Sequence, residues 1–186
     1  SPSVWNFLNF SLFLTYALTS ATTSVPVALL PAVAVSLDQN VANFAARAAA
    51  FAVMGTALGK FFLGPVGDGW GARHVSVVGA LGLTLSTLLL SAAPNAITVM
   101  WACFFIEWFQ SVQSPCLIVI LAAHYKGKPK SELEGGIYVT SMAPRLGALL
   151  SIPFVTLLLR SCHWRFVGIL GALVSLLGAL VSFVLL

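Results

Sequence analysis

The sequence predicts an all-α, polytopic membrane protein with six transmembrane helices. Apolar residues make up 59% of the chain and charged residues only 8%, and the mean hydropathy is +1.00. A soluble domain carries about 25% charged residues, so this chain lacks the polar surface that contact with water on all sides requires. A transmembrane helix needs roughly 20 apolar residues, and the chain contains six stretches of that kind. Helices are favoured because they satisfy their own backbone hydrogen bonds in lipid.

The six stretches follow one another with short loops between them. A single bundle of residues 1–186 is predicted, with helices at about 5–35, 41–63, 75–93, 96–124, 135–159 and 166–186. The first, third and sixth helices carry no Asp, Glu, Lys or Arg. The second has Arg47 and Lys60 near its ends, and the other two each contain a charge in the middle. Because the loops are short, consecutive helices are expected to be antiparallel neighbours.

Basic residues predict the orientation of this bundle in the membrane. If segments 64–73 and 126–134 are cytoplasmic, that side holds five basic residues and the opposite side three. The five are Lys60, Arg73, Lys126, Lys128 and Lys130. Cytoplasmic loops are enriched in Lys and Arg, so both termini are expected in the cytoplasm. The sequence does not indicate which membrane the protein occupies.

A glycine-rich segment separates the second and third predicted helices. It reads Gly64-Pro-Val-Gly-Asp68-Gly-Trp-Gly71-Ala-Arg73. Its glycines can form a tight hairpin between helices, Asp68 can bind a helix N-terminus, and Arg73 can hold a helix end by charge-assisted hydrogen bonds. A loop over residues 64–74 is therefore expected. The segment resembles the signature loop of the major facilitator superfamily of transporters, where this loop locks and releases the two halves of the protein. Gly69 stands where that superfamily usually has a basic residue.

Further motifs resemble the organophosphate:phosphate antiporters within that superfamily. They are Lys60-Phe-Phe-Leu-Gly64, Trp108-Phe-Gln110 followed by Pro115-Cys116, Glu134-Gly-Gly-Ile137, and Trp164-Arg165. The resemblance covers nearly the whole chain. It implies the N-terminal, six-helix half of a twelve-helix fold, built as a three-plus-three inverted repeat.

The resemblance also implies a function. The chain is expected to belong to a secondary active transporter, a symporter or antiporter, that moves a small organic anion by alternating access. The expected partners are the solute, membrane lipid, and the missing C-terminal six-helix half or a partner chain that supplies it. No nucleic acid, cofactor or metal is expected. An enzyme is not expected either, because we find no nucleophile–base pairing, metal-ligand cluster or phosphate-binding loop.

Two departures from the antiporters concern the solute site. Thr23 occupies the position of the helix 1 arginine that grips phosphate in that family, and Arg145 occupies the position of their helix 5 histidine. Lys60 is retained, although it can also snorkel to the interface or pair at an inner gate. Spacings of three and four put Tyr16, Thr19 and Thr23 on one face of the first helix. That face is expected either to line the solute path or to hydrogen-bond a neighbouring helix.

Two charges are predicted near the middle of the bilayer. Glu107 lies about 16 Å into the fourth helix and Arg145 about 15 Å into the fifth, at 1.5 Å per residue. Charges at that depth are costly and usually mark a pathway or a pair. Either the two form a buried ion pair, or Arg145 binds the anion while Glu107 tunes it or carries a coupling proton. Trp108 is expected to line the cavity or to pack in the core.

The alternative to transport is a membrane scaffold or complex subunit that keeps a transporter-like fold. Thr23 at the arginine position and Gly69 at the basic position favour this alternative. We predict that the Arg145→Ala variant loses uptake while it still inserts into the membrane.

Overall fold

The computed structural model describes residues 6–185, without the side chains of Asp68 and Leu185. Within these residues it contains seven α-helices and no strand. The helices are α1 (Phe7–Ser36), α2 (Val41–Trp70), α3 (Ala72–Ala92), α4 (Ala96–Gln110), α5 (Gln113–His124), α6 (Lys130–Leu158) and α7 (Trp164–Leu185). The predicted ends of the bundle at residues 5 and 186 lie outside the described part of the chain.

Six helical segments are long and apolar enough to cross a membrane. Helices α4 and α5 together form one of them, Ala96–His124, and each of the other five contains one helix. The prediction of an all-α protein with six membrane-spanning segments is therefore confirmed. Below, the end of the bundle at which α1 begins is called the inner end, because the sequence predicts it to be cytoplasmic.

Asparagine residues start three of the helices. Asn6, Asn40 and Asn95 each precede a helix in an extended conformation. The side-chain oxygen of each accepts a hydrogen bond from the backbone N–H three residues later, at 2.8, 3.1 and 3.0 Å respectively. These bonds satisfy backbone donors that have no partner inside the helix, so they fix where each span begins.

The loop expected over residues 64–74 is mostly helical, which corrects that prediction. Helix α2 continues through Pro65 to Trp70, and α3 begins at Ala72. Only Gly71 lies between them, at a φ of 87° that favours glycine. A continuous helix satisfies its own backbone hydrogen bonds, so the glycines before Gly71 remain helical. Gly71 alone forms the hairpin between α2 and α3.

The fourth predicted helix is broken and the fifth begins earlier than predicted. Helix α4 ends at Gln110, and α5 starts at Gln113. Pro115 explains the break, because it has no N–H to donate to the carbonyl of Ser111, four residues earlier. Helix α6 begins at Lys130, five residues before the predicted start.

The contacts between helices follow the pattern expected of two three-span repeats in a two-fold relation. Helix α1 packs mainly against α6 and α7, and α4 packs mainly against α2 and α3. Helices α3 and α7 pack against each other. Exchanging the first three spans with the last three leaves this pattern of neighbours unchanged. This is the arrangement of the predicted inverted repeat.

Two arginines reinforce the two-fold relation. At the inner end, Arg73 at the start of α3 donates to the carbonyl of Phe183 near the end of α7, at 2.9 Å. At the outer end, Arg165 at the start of α7 donates to the carbonyls of Ser91 and Ala93 at the end of α3, at 3.1 and 2.9 Å. Each arginine therefore satisfies carbonyls at a helix C-terminus that have no partner within the helix.

The larger apolar core lies in the outer half of the bundle. Its members come from six helices and include Leu29, Val33, Leu90 and Met100. A smaller cluster at the inner end joins α1 to α5 around Leu12. The larger core includes Ala48, Cys103 and Ile106, which also line the cavity described next.

Candidate functional site

A cavity of about 490 Å³ lies between α1, α2 and α4. Its wall on α2 is formed largely by Ala45, Ala48, Ala49 and Ala52. These side chains are single methyl groups, so they leave space that larger side chains would fill. Small-molecule sites usually have volumes of about 300–1,000 Å³. The cavity is therefore large enough for a small solute.

Three polar side chains from three different spans meet in this mostly apolar cavity. They are Thr23 of α1, Thr56 of α2 and Glu107 of α4. Thr23 and Thr56 each lie near the middle of a 30-residue helix. Since the apolar core of a bilayer is about 30 Å thick, the three groups lie near its midplane.

The carboxylate of Glu107 receives a hydrogen bond from the neighbouring helix. Thr56 Oγ1 donates to Glu107 Oε2 at 3.1 Å and lies 3.2 Å from the carbonyl of Ala52. The second carboxylate oxygen, Oε1, accepts no hydrogen bond from any side chain or backbone group that the structure describes. Glu107 is half-buried and lines the cavity. This oxygen is therefore available to a solute.

Two glycines bring α2 close enough to α4 for that contact. A Cβ atom on Gly55 would collide with the carbonyl oxygen of Phe104. A Cβ atom on Gly59 would lie 2.6 Å from the carbonyl oxygen of Trp108. Small residues four apart allow helix backbones to approach closely. Gly55 and Gly59 therefore allow a close approach of α2 to α4, and Thr56 lies between these two contacts in the sequence.

The polar residues of α1 separate into different environments. Thr23 lines the cavity, and its hydroxyl donates to the carbonyl of Ser20 at 2.9 Å. Thr19 is 0% exposed and bonds to carbonyls of its own helix. Tyr16 packs against the inner apolar cluster around Leu12. The predicted common face therefore contributes one residue to the cavity, and Tyr16 is not among those that line it.

Lys60 and Trp108 lie just beyond the inner edge of the cavity. Lys60 is exposed on α2, one helical turn from Thr56. Trp108 is half-buried next to Glu107 and stacks on Phe62, with ring centroids 5.9 Å apart and an interplanar angle of 18°. Neither side chain lines the cavity, and each lies nearer the inner end along its helix than the lining residue that precedes it.

Arg145 does not pair with Glu107, which corrects the ion-pair interpretation. Within residues 6–185, the hydrogen-bond partner of the Glu107 side chain is Thr56. Arg145 is exposed on α6, on the side opposite the buried residues Gly136, Ala143 and Gly147. Helix α6 packs mainly on α1 rather than on α4. The described residues therefore contain no ion pair between Glu107 and Arg145.

Comparison with known protein families decides the classification. The sequence model of the Major Facilitator Superfamily matches residues 12–186. The chain belongs to this superfamily. No curated protein sequence gave a significant match. Proteins of this superfamily are transporters, so membership makes the chain an integral, multi-pass membrane protein of a transporter family.

The residues that resemble the superfamily's signature loop form the joint between α2 and α3. Gly64 lies within α2, Gly71 forms the joint, and Arg73 holds the end of α7. The side chain of Asp68 is outside the described part of the structure. The Arg73 contact agrees with the expected role in holding a helix end, but that end belongs to the sixth span.

The sequence did not predict two residues that contribute to the candidate site, Thr56 and Gln110. Thr56 carries no distinguishing motif, and only its spacing from Gly55 and Gly59 could have indicated that it faces α4. Gln110, three residues after Glu107, donates to Ser20 Oγ on α1 at 3.3 Å. The Gln110 contact joins α1 to α4 one turn from the cavity, so both missed residues stabilise the helices that surround it.

Proposed function

We propose that this chain carries the solute site of an alternating-access secondary transporter, centred on Thr23, Thr56 and Glu107. The observation that carries the proposal is the cavity near the middle of the spans, with a carboxylate exposed to it. Ionisable residues at that depth are rare and usually belong to a transport pathway. Superfamily membership provides independent support.

The position of the cavity suits a rocking mechanism. Thr23 and Thr56 belong to the first three-span repeat and Glu107 to the second, so the polar groups come from both repeats. In this class of transporter the site lies near the midplane between two six-helix halves, and rocking of one half against the other exposes it to each side in turn. The joint at Gly71 and the contact from Arg73 to α7 are proposed to guide that movement. We propose that both termini are cytoplasmic and that a further six-helix half completes the solute path.

An organic anion is the candidate solute that the resemblance to the organophosphate:phosphate antiporters favours. The observation that favours it is the position of Lys60, exposed one turn from Thr56 toward the inner end. Arg145 would have to face the same path from α6, where it is exposed. The Arg145→Ala variant tests this candidate, because an anion transporter that uses this cation loses uptake.

Uptake into proteoliposomes tests the proposed function. The full-length protein is reconstituted, and uptake of labelled organic cations, anions and neutral solutes is measured under imposed ion gradients. At least one solute is expected to enter, and Glu107→Ala is expected to abolish its uptake. Glu134→Ala is the matched control, because Glu134 is an exposed carboxylate near the inner end of α6. If no solute enters faster than into empty liposomes, the alternative of a non-transporting scaffold is favoured.

A further inference from the structure

We infer that the solute of this cavity is an organic cation that carries N–H donors, such as a protonated amine. The inference rests on the proposed transport function and specifies its solute class. It depends on three properties of the described cavity walls: their charge, the direction of their hydrogen bonds and their apolar surface.

The cavity is acidic, because a carboxyl group lines it and gives it a negative charge when ionised. Among the described residues that line the cavity, Glu107 is the only one with an acidic or basic side chain. The other polar members are Thr23, Thr56 and the thiol of Cys103. The basic residues of α2, Arg47 and Lys60, are both exposed, and neither lines the cavity. A positive partner stabilises the ionised form of a carboxylate in an apolar cavity, and within residues 6–185 the Glu107 side chain has only the Thr56 hydroxyl as a hydrogen-bond partner.

The threonine hydroxyls of the cavity already donate their hydrogens to other atoms of the protein. The hydroxyl hydrogen of Thr23 is directed to the carbonyl of Ser20, at 2.9 Å. The hydroxyl hydrogen of Thr56 is shared between the carbonyl of Ala52 and the carboxylate of Glu107. A hydroxyl has one hydrogen and two lone pairs, so both threonines can still accept but have no further hydrogen to donate.

The cavity therefore offers acceptors and only one weak donor, the Cys103 thiol. The acceptors are the free oxygen of Glu107 and the lone pairs of the two threonine hydroxyls. An ammonium group has only donors to offer, so it matches this set. A carboxylate or phosphate would need donors that the described lining does not provide, and it would meet the charge of Glu107.

The remaining walls suit the hydrocarbon part of such a cation. The cavity has an apolar surface formed by Ala48, Ala52, Val53 and Ile106. Its volume of about 490 Å³ leaves room for a hydrocarbon group beside the amino group. Ligand pockets typically combine such walls with a few polar groups that fix the orientation. A primary amine on a compact hydrocarbon body therefore fits better than a highly polar metabolite.

Binding of three ligands of the same shape tests the inference. The full-length protein in detergent is titrated calorimetrically at pH 7 with cyclohexylammonium, cyclohexanol and cyclohexanecarboxylate. Cyclohexylammonium is expected to bind at least about tenfold more tightly than the other two, since a charge-assisted hydrogen bond is among the strongest that proteins make. The wild-type comparison does not depend on how any variant folds.

Two variants test whether the bound amine lies in the cavity. Glu107→Gln keeps the size of the side chain and removes its charge, so it is expected to weaken cyclohexylammonium binding by about tenfold or more. Glu134→Gln removes an exposed carboxylate outside the cavity and is expected to leave binding unchanged. Equal effects of the two substitutions would overturn the inference.

The remaining outcomes separate this inference from the proposed function. Tighter binding of cyclohexanecarboxylate, or no binding of any of the three ligands, overturns the cation site. Binding of cyclohexylammonium that depends on Glu107, without transport of any solute in the liposome assay, supports the site and overturns the transport function. Transport of an anion with no cation binding supports the transport function and overturns the solute class.

Discussion

Thr56 determines how the carboxylate of Glu107 is held, because it is the residue that donates to Glu107 from the facing helix. Thr56→Val keeps the shape of the side chain and removes the hydroxyl. We expect this variant to lose about 1–3 kcal/mol of stability, the usual cost of a polar group that loses its partner. The thermal unfolding midpoint in detergent measures the loss.

The matched control for that variant is Thr156→Val. The Thr156 hydroxyl also donates to a carbonyl four residues earlier, Ile152 at 2.8 Å, but it is exposed on α6 and no contact from it to a carboxylate is found in the described residues. Its substitution should lower the midpoint less than Thr56→Val. Equal decreases would mean that the bond to Glu107 contributes nothing measurable.

The sequence identified part of the cavity at the residue scale. Glu107 and Thr23 could be predicted because a charge or a hydroxyl within a long apolar stretch stands out. Thr56 could not, because its role depends on which side of α2 faces α4, and that is set by packing at Gly55 and Gly59. The sequence allows an ion pair between Arg145 and Glu107 as one of two alternatives, because their depths match, but depth does not determine the direction in which a side chain points.

At the scale of the helices, the contact between α2 and α4 depends on the absence of a side chain at Gly55. Gly55→Ala places a Cβ atom against the carbonyl oxygen of Phe104, so the helices must separate. We expect a loss of about 1–3 kcal/mol, as for other overpacked sites. The thermal unfolding midpoint measures it.

Gly69→Ala is the matched control for Gly55→Ala. Gly69 is also helical, but a Cβ atom there would have no neighbour within 4 Å. Alanine favours a helix by up to about 1 kcal/mol relative to glycine, so this variant should be neutral or slightly more stable. A midpoint for Gly55→Ala at or above that of the wild-type protein would contradict the proposed packing.

Arg165 joins α7 to the end of α3 with two hydrogen bonds to backbone carbonyls. Arg165→Ala leaves both carbonyls without these donors, and bonds from a charged group contribute about 1.5–3 kcal/mol. The midpoint should therefore fall by more than in Arg160→Ala, which removes an exposed arginine from the preceding turn. The opposite order would show that the contact at the outer end does not hold the two helices together.

The number of membrane spans and their helical type could be predicted from hydropathy, but the breaks within and between them could not. Hydropathy reports which residues avoid water, and the chain is apolar on both sides of the break between α4 and α5. The break depends on Pro115, and the hairpin at Gly71 depends on one positive φ angle. Both are backbone features that an average over apolar residues does not reveal.

At the scale of the whole molecule, the orientation in the membrane is the first property to test. With both termini cytoplasmic, the turn after α1 lies outside and the turn before α6 lies inside. In a variant without native cysteines, a cysteine at Gln39 should react with a membrane-impermeant thiol reagent from outside only. A cysteine at Ser131, which is exposed in the first turn of α6, should react only after the inner side is exposed. Reversal of both results would invert the predicted topology.

The cavity lies on three helices of this chain, α1, α2 and α4, and one of its lining residues, Val53, is largely exposed. If a second six-helix half covers it, rocking of one half against the other changes which end of the solute path is open. A scaffold that keeps the fold without transport needs no such movement. Access to the cavity from each side therefore distinguishes the two functions.

Thiol labelling at Val53 measures this access most directly. Val53 lines the cavity and is 69% exposed, so a cysteine there reports on it with a small change in volume. In sealed vesicles of either orientation, and with the native cysteines replaced, we predict that the Val53→Cys variant reacts with an impermeant reagent from both sides. Reaction from one side only, or protection from both, would contradict a cavity with alternating access.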